Sequence, residues 1–188
     1  ARNFEKAIEL CSGDIVFLSD QDDVWYPNKI ETVFCAMRSD HKIMSAVNNQ
    51  VIANQYLAKM ERTKLGNCTA SGSDPLWSYN SGCSSAFRRE LIKVALPFPN
   101  LPVEHDVWLN RIAAVIGQKN IIPECLQVHR RHLGNSSSGA LNATSRWQTL
   151  QYRLTPPPAV SLRIKKEKEV LEEIFARLED PANIDFSS

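Results

Sequence analysis

Three carboxylates lie within four positions directly after an apolar run in the segment GDIVFLSDQDDVW. They belong to Asp20, Asp22 and Asp23. Carboxylates this close repel one another unless they share a positive charge, and hard oxygen ligands favour Mg²⁺ or Mn²⁺, ions that also bind substrate phosphates. One interpretation is therefore a Mg²⁺ or Mn²⁺ ion that joins these side chains to a diphosphate. The other is a solvated turn or a helix N-cap, where Asp is common.

Two later segments carry groups suited to the same chemistry. VEHDVW places Glu104, His105 and Asp106 in the first turn of a predicted helix, where acidic residues also compensate the helix dipole. VHRRH brings together imidazole and guanidinium groups, which suit a phosphate or diphosphate. A solvated basic loop is the competing interpretation of that segment. A metal-dependent phosphohydrolase of the HD type would also contain a His-Asp pair, but the sequence offers no convincing set of its further ligands.

Hydrophobic periodicity predicts the elements that must position these groups. We expect a helix over residues 2–13, a buried strand over 14–19, a helix over about 28–39 and a strand over 43–52. The apolar face of the helix over 28–39 would consist of Ile30, Val33, Phe34 and Met37. Residues 54–78 are polar and poorly periodic, which indicates a long loop.

The second half of the chain continues this alternation. A turn or strand followed by a helix is expected over residues 80–95, then a helix over 103–117 and a strand over 120–132. The C-terminal part is predicted to be helical after a break at 155–159, with an apolar stripe formed by Leu171, Ile174, Phe175 and Leu178. The alternation predicts an α/β fold with a mostly parallel sheet flanked by helices. In such sheets, ligands bind at the carboxyl ends of the strands, which is where the three aspartates lie.

The composition limits the function classes. The chain has 188 residues, 43% of them hydrophobic and 23% charged, which is typical of a globular domain with a substantial core. A net charge of +1 gives no indication of nucleic-acid binding. The five cysteines are odd in number and widely spaced, which favours reduced, buried thiols and a cytoplasmic protein.

Taken in order, the motifs resemble those of the family 2 glycosyltransferases, which have the GT-A fold, and especially the bacterial rhamnosyltransferase-like group. NFEKAIELCSGDIVFLSDQDDVWYPNKIE resembles the segment around that family's Asp-x-Asp motif, and NSGCSSAFRREL is similar to its acceptor-side turn before a helix. VEHDVWL lies where the family has a Glu-Asp or His-Asp motif, and HRRHLGNSS resembles its Arg-x-His-x-x-Asn element. The resemblance covers about residues 3–138.

The resemblance implies a role for each matching residue. Asp20 and Asp22 would be the Asp-x-Asp pair, with Asp22 binding Mg²⁺ or Mn²⁺ and Asp20 contacting the nucleotide ribose or the metal's surroundings. Asp106 would be the catalytic base. His132, as a second metal ligand, and Arg130 would face the metal or the diphosphate. The sugar or acceptor pocket would be lined by Trp25, Gly82, Cys83, His105 and Trp108.

The implied activity is inverting, metal-dependent transfer of a sugar, rhamnose being favoured, from a nucleoside-diphosphate sugar to a hydroxyl of a cell-surface glycan or lipid-linked acceptor. The family's N-terminal units, which grip the nucleotide, have no counterpart in this sequence. We therefore expect the catalytic half of a GT-A domain over residues 1–140 and a helical extension over 141–188, with weak or no activity in the isolated chain. A non-catalytic remnant that binds metal or sugar is the alternative.

The C-terminal extension carries a basic segment. Residues 146–168 contain six basic side chains and one acidic side chain, that of Glu167. A solvated helical face is one interpretation. The other is a patch that contacts the anionic inner face of the cytoplasmic membrane, where a lipid-linked acceptor would lie.

Overall fold

The computed structural model describes residues 2–132 and 158–180 of the chain. The helices in these residues are α1 (Arg2–Leu10), α2 (Lys29–Ser39), α3 (Lys64–Ala70), α4 (Pro75–Ser78), α5 (Arg89–Ala95), α6 (His105–Val115) and α7 (Pro158–Glu179). The strands are β1 (Ile15–Phe17), β2 (Val24–Trp25), β3 (Ser45–Ala53), β4 (Lys59–Thr63), β5 (Ser85–Arg88) and β6 (Lys119–Arg130). The architecture is α/β, as the sequence predicts.

The strands form one mixed sheet in the order β1-β5-β3-β6-β2, with β4 paired to one end of β3. Only the central β3–β6 pair is parallel among the pairs that the structure describes, and β1–β5, β3–β5, β3–β4 and β2–β6 are antiparallel. The expectation of a mostly parallel sheet is therefore wrong. Strand β5 accounts for two of the four antiparallel pairs, because it lies between β1 and β3 and runs antiparallel to both.

The central pair is interrupted by a bulge. Asn48 pairs with Ile122 but Asn49 pairs with Cys125, so that β6 carries extra residues at this point. Pro123 lies in the bulge, where its missing N–H removes nothing from the ladder. Asn49 Nδ2 donates to the carbonyl oxygen of Pro123 at 3.1 Å, which satisfies an acceptor that the bulge leaves out of the ladder. Beyond the bulge, β6 continues to the segment that holds His129.

Apolar side chains are buried in two clusters. The larger combines α1, α5, α6 and α7 with one set of strand residues, and its fully buried members include Phe87, Trp108 and Ile174. The smaller cluster lies around Val33 and Met37 of α2. In α7, Ile174 is buried as expected, but Phe175 is 51% exposed. The apolar stripe that α7 presents to the core therefore includes Val170 and excludes Phe175, which differs from the predicted stripe.

Helix α2 differs from its predicted packing. Val33 and Met37 are buried, but Ile30 is 55% exposed and Phe34 is 44% exposed. The buried face instead includes Lys29, whose side chain is 1% exposed. The apolar stripe is rotated away from Ile30 and Phe34 because the ammonium of Lys29 has hydrogen-bond partners inside the protein.

The expectation of a long loop over residues 54–78 is also wrong. This stretch contains β4, α3 and the short α4. Local capping bonds start both helices, since the Thr63 hydroxyl accepts from the Gly66 N–H and the Asp74 carboxylate accepts from the Leu76 N–H. Amphipathic periodicity misses them because neither helix contains a buried residue.

Two further observations concern the chain as a whole. All five cysteines are free thiols, but only Cys83 is buried. Cys11 and Cys35 are exposed and Cys68 and Cys125 are half-buried, so the expectation of buried thiols holds for Cys83 alone. Among the helices that the structure describes, none combines the length and apolar character needed to span a membrane.

Candidate functional site

An open cleft with a volume of about 510 Å³ brings together side chains from six separate parts of the chain. They come from α1, from the segment after β1, from residues 80–83 with the start of α6, and from the end of β6. Lys64, at the start of α3, lies at the same cleft. The lining residues are Phe4, Ser19, Asp20, Gln21, Asp22, Lys64, Asn80, Ser81, Gly82, Cys83, Glu104, His105, Asp106, His129 and His132.

One wall of the cleft is acidic. Asp20 and Asp22 follow β1, and the Asp22 carboxylate lies 2.7 Å from Nε2 of His132 at the end of β6. Burial raises the pKa of Asp20, and the neighbouring carboxylates of Asp23 and Asp22 raise it further. The wall therefore holds more negative charge than its surroundings stabilise, which is the condition that attracts a cation.

Another part of the cleft wall carries Asp106, in the first turn of α6. Its Oδ2 accepts a hydrogen bond from the Gly82 N–H at 2.9 Å, and its Oδ1 accepts one from the Val107 N–H at 2.8 Å. Each carboxylate oxygen thus has one backbone donor and retains lone pairs for a further partner. A Cβ at position 82 would lie 3.2 Å from Asp106 Cβ and 3.3 Å from His105 Nε2, so a larger residue here would have to displace these neighbours by a few tenths of an ångström.

His105 is held by an aromatic contact. Its ring stacks on Phe4 of α1 with centroids 3.8 Å apart and an interplanar angle of 14°. Burial lowers the pKa of His105, although the carboxylate of Asp106 opposes this effect. Helix α1 therefore supplies the face that holds the imidazole beside Asp106.

Of the three aspartates that follow β1, Asp23 is the one to which the family resemblance assigns no role. Its side chain is the most enclosed of the three. Its carboxylate is 0% exposed and lies 3.1 Å from Nδ1 of His129. It also accepts from Gln127 Nε2 at 3.0 Å and from the Arg130 N–H at 3.1 Å. Burial would raise the pKa of Asp23, but these hydrogen bonds, chiefly that with His129, outweigh it and hold the pKa below its usual value. Asp23 thus joins the segment after β1 to β6.

A buried polar network lies beneath the cleft, and the sequence gives little sign of it. Lys29 Nζ donates to Gln127 Oε1 and, at 2.9 Å, to the carbonyl oxygen of Cys83. Gln50 Nε2 donates to the hydroxyls of Ser81 at 2.6 Å and Ser84 at 3.0 Å. The one available signal is the position of Gln50 and Gln127 within predicted buried strands, because buried amides have to find partners.

Three residues predicted for the site do not line the cleft. Trp108 is 0% exposed within the larger core cluster, and its Nε1 donates to the carbonyl oxygen of Ala95, so its assignment to a sugar pocket is corrected to core packing. Trp25, in β2, lies under the Lys29 side chain, whose Nζ is 3.7 Å from the centroid of the Trp25 ring. Arg130 contributes its backbone N–H to Asp23.

Among the described residues, one set brings its potential ligand atoms close enough together to hold a metal ion. Ligand atoms of Asp23, Cys83 and His129 lie within 4.8 Å of one another and could hold a metal ion. A thiol is a soft donor that suits Zn²⁺ better than Mg²⁺, and burial raises the pKa of Cys83 to about 12. Asp20, Asp22 and His132 offer harder donors at the open cleft, where a substrate phosphate could reach the ion.

No family model matches the chain. The chain is 24% identical to an uncharacterized glycosyltransferase from Nostoc sp. over 155 residues, which cover 76% of this chain and 47% of that protein. The chain therefore spans about half the length of the curated relative that it matches. This distant similarity supports a relationship to glycosyltransferases.

Proposed function

We propose that this chain belongs to an inverting, metal-dependent glycosyltransferase of family 2 with a GT-A domain. In this proposal, a sugar moves from a nucleoside-diphosphate sugar to a hydroxyl group of an acceptor. The observation that carries the proposal is a single cleft lined by Asp20, Asp22, Asp106 and His132, residues that are far apart in sequence. The distant similarity to an uncharacterized glycosyltransferase is consistent with this chemistry.

Asp106 is the proposed catalytic base. A sugar hydroxyl is a weak nucleophile at neutral pH, so a carboxylate must take its proton as the new C–O bond forms. The hydrogen bonds from Gly82 and Val107 fix the two oxygens of Asp106 at the cleft wall. A hydroxyl in the cleft would donate to one of the remaining lone pairs, and its oxygen would attack the anomeric carbon.

The bond from the anomeric carbon to the diphosphate oxygen breaks in the same step, and its electron pair leaves with the nucleoside diphosphate. A single displacement of this kind inverts the anomeric centre. Asp20, Asp22 and His132 are the residues that would hold Mg²⁺ or Mn²⁺ at the cleft. When bound, such an ion would neutralise charge on the diphosphate.

The proposed substrates follow from the resemblance. A rhamnose donor and a cell-surface glycan or lipid-linked acceptor are the specific candidates, with Gly82, Cys83 and His105 toward the sugar or acceptor. Residues 1–140 would form the catalytic part, and the helical extension 141–188 would supply a peripheral contact with an anionic membrane. Most of the basic segment 146–168 lies outside the described residues, and the side chains described there include the exposed Lys165, Lys166 and Lys168.

The test is thermal unfolding of this chain with Mn²⁺ and UDP, dTDP or GDP, each alone and combined. A ligand at 100 times its Kd stabilises the folded state by about 2.7 kcal/mol, which corresponds to a rise in Tm of about 5–10 °C. We expect this rise only when metal and nucleotide are both present. Asp22→Ala should abolish it, whereas Asp14→Ala, a change at an exposed aspartate outside the cleft, should preserve it.

The nucleotide that stabilises most then selects the sugar nucleotide for a transfer assay. Release of nucleoside diphosphate that depends on a hydroxyl acceptor, and that Asp106→Asn abolishes, would support transfer. A cooperative transition that no combination of metal and nucleotide shifts would contradict a working diphosphate site in this chain. Hydrolysis of a simple phosphoester at the same cleft would favour a phosphohydrolase instead.

A further inference from the structure

The segment Tyr79–Cys83 forms the part of the cleft wall that contacts Asp106, and buried lysines hold both of its ends. At the first end, Lys119 Nζ donates to the carbonyl oxygen of Tyr79 and to Asn80 Oδ1, both at 2.9 Å. At the second end, Lys29 Nζ donates to the carbonyl oxygen of Cys83 at 2.9 Å. Lys119 is 7% exposed and Lys29 is 1% exposed.

Each ammonium has further partners that fix its position. Lys119 Nζ also donates to the carbonyl oxygen of Leu76 at 2.8 Å, so the same ammonium binds α4 as well. Lys29 Nζ donates to Gln127 Oε1 and lies over the ring of Trp25. Lys29 belongs to α2, which contributes no residue to the cleft lining, and Lys119 lies at the start of β6, whose other end carries His129 of the lining. The wall segment is therefore attached to the sheet and to α2 through two buried charges.

Between these ends, the segment makes the contact that orients Asp106. The N–H of Gly82 donates to Asp106 Oδ2, and Ser81 Oγ accepts from Gln50 Nε2 and from Lys64 Nζ. A displacement of the segment would move the Gly82 N–H away from the carboxylate. Small displacements of this kind matter because a misplacement of about 1 Å can lower a rate about 100-fold.

We propose that Lys29 and Lys119 are positioning residues, which hold the segment Tyr79–Cys83 so that the Gly82 N–H orients the Asp106 carboxylate. The catalytic part of this inference rests on the proposed function. Burying an ammonium destabilises a folded protein, and apolar side chains would fill the same space without that penalty. That two buried ammonium groups donate to one five-residue segment is consistent with a requirement to hold this segment in a fixed position.

The first test needs no substrate. In the ¹⁵N-labelled chain, the Gly82 amide signal should shift as the Asp106 carboxyl titrates, and Asp106→Asn should remove that shift. We expect Lys119→Met and Lys29→Met to reduce this shift at least two-fold and to speed hydrogen exchange of the amides in residues 79–83. Lys93→Met, a change at an exposed lysine of α5, should leave both signals unchanged.

The second test uses transfer with the donor and acceptor identified for the unaltered chain. The lysine variants should lower kcat about 10- to 100-fold while the donor KM changes less than two-fold, because the base moves and the donor site does not. Thermal unfolding verifies that each variant folds, and Lys119→Gln and Lys29→Gln replace any Met variant that does not.

The outcomes separate the two proposals. An unchanged Gly82 titration in both lysine variants overturns the positioning role, and so does an altered titration with an unchanged kcat. If the unaltered chain transfers no sugar, the proposed function fails for this chain. The pH-dependent shift of the Gly82 amide signal then still decides whether the two lysines hold the Gly82 N–H in contact with the Asp106 carboxylate.

Discussion

At the scale of single residues, the candidate site depends on where backbone N–H groups meet carboxylates. Asp106 accepts from Gly82 and Val107, and Asp23 accepts from Arg130. The bonds from Gly82 and Arg130 connect segments whose distance in sequence hides the contact. The sequence identifies the acidic residues, since carboxylates in a cluster are conspicuous, but it does not reveal which backbone donors approach them.

The close approach at Gly82 gives the first residue-level prediction. Gly82→Ala would place a Cβ 3.2 Å from Asp106 Cβ and 3.4 Å from its Oδ2, so the wall or the carboxylate must shift. We expect kcat for transfer to fall about 10- to 100-fold, with a loss of about 1 kcal/mol in the free energy of unfolding. Steady-state kinetics and urea unfolding measure the two effects.

Gly13→Ala is the matched control for this substitution. A Cβ there would meet only the Ile15 carbonyl oxygen at 3.6 Å, an ordinary van der Waals contact. Its kcat should equal that of the unaltered chain. Equal rates for Gly82→Ala and Gly13→Ala would contradict the importance of this contact.

Asp23 gives the second prediction, which concerns stability. Asp23→Asn replaces a fully buried acceptor by an amide that cannot satisfy His129, Gln127 and the Arg130 N–H together. We expect the free energy of unfolding to fall by about 1–3 kcal/mol. The measurement is urea unfolding at pH 7, compared with Asp22→Asn, whose side chain is 19% exposed. An equal loss in both variants would argue against a structural role specific to Asp23.

Secondary-structure elements show most clearly what the sequence could predict. Long, periodic elements such as α6 and β6 lie within one or two residues of their expected positions, because one face of each is strongly apolar. Strand β5 was expected only as a turn or strand, and its antiparallel placement changes the whole sheet. Pairing direction depends on contacts between distant strands, which a local pattern does not contain.

Helix α2 shows a second reason for failure at this scale. Its pattern contains four apolar positions, and two of them, Ile30 and Phe34, are exposed. Lys29 is counted as polar, yet its stem and ammonium are buried. A hydrophobicity pattern cannot anticipate a buried lysine because its partners, Gln127 and Cys83, lie far away in the sequence.

The packing of α7 yields a prediction at the scale of elements. Ile174 is 0% exposed in the larger core cluster, and its neighbour Phe175 is 51% exposed. We expect Ile174→Ala to reduce the free energy of unfolding by about 2–4 kcal/mol, since it leaves a cavity between α7 and α5 or α6. Phe175→Ala should reduce it by less than about 1 kcal/mol. Urea unfolding of the two variants measures these changes. Similar losses in the free energy of unfolding would contradict the packing of α7 on the core through Ile174.

At the scale of the whole molecule, the two buried lysines affect how stability depends on pH. Burial lowers the pKa of Lys29 and of Lys119 to about 8, whereas both titrate near 10.5 when unfolded. Between these values, the unfolded state binds more protons than the folded state, so raising the pH stabilises the fold. Each lysine contributes about 1.4 kcal/mol per pH unit at most.

We therefore expect the free energy of unfolding to rise by about 1–2 kcal/mol between pH 7.5 and pH 9. Near pH 10 and above the trend should reverse, because the unfolded lysines then lose their protons as well, while burial raises the pKa of the Cys83 thiol to about 12 and also raises that of the Tyr79 hydroxyl. Urea unfolding at several pH values measures the curve. Lys119→Met should roughly halve the rise, and a flat or falling curve below pH 9 would contradict the burial of these charges.

The parallel pairing of β3 with β6 also has a consequence for how the chain reaches this fold. The hydrogen bond between Asn49 and Pro123 joins residues 74 positions apart, so the centre of the sheet closes a long loop. Such closure is entropically expensive and slows folding. During synthesis, β3 remains without its main partner until β6 has left the ribosome. Nascent chains that end before Lys119 are therefore expected to be digested by protease as unfolded chains, while those that include Arg130 become resistant.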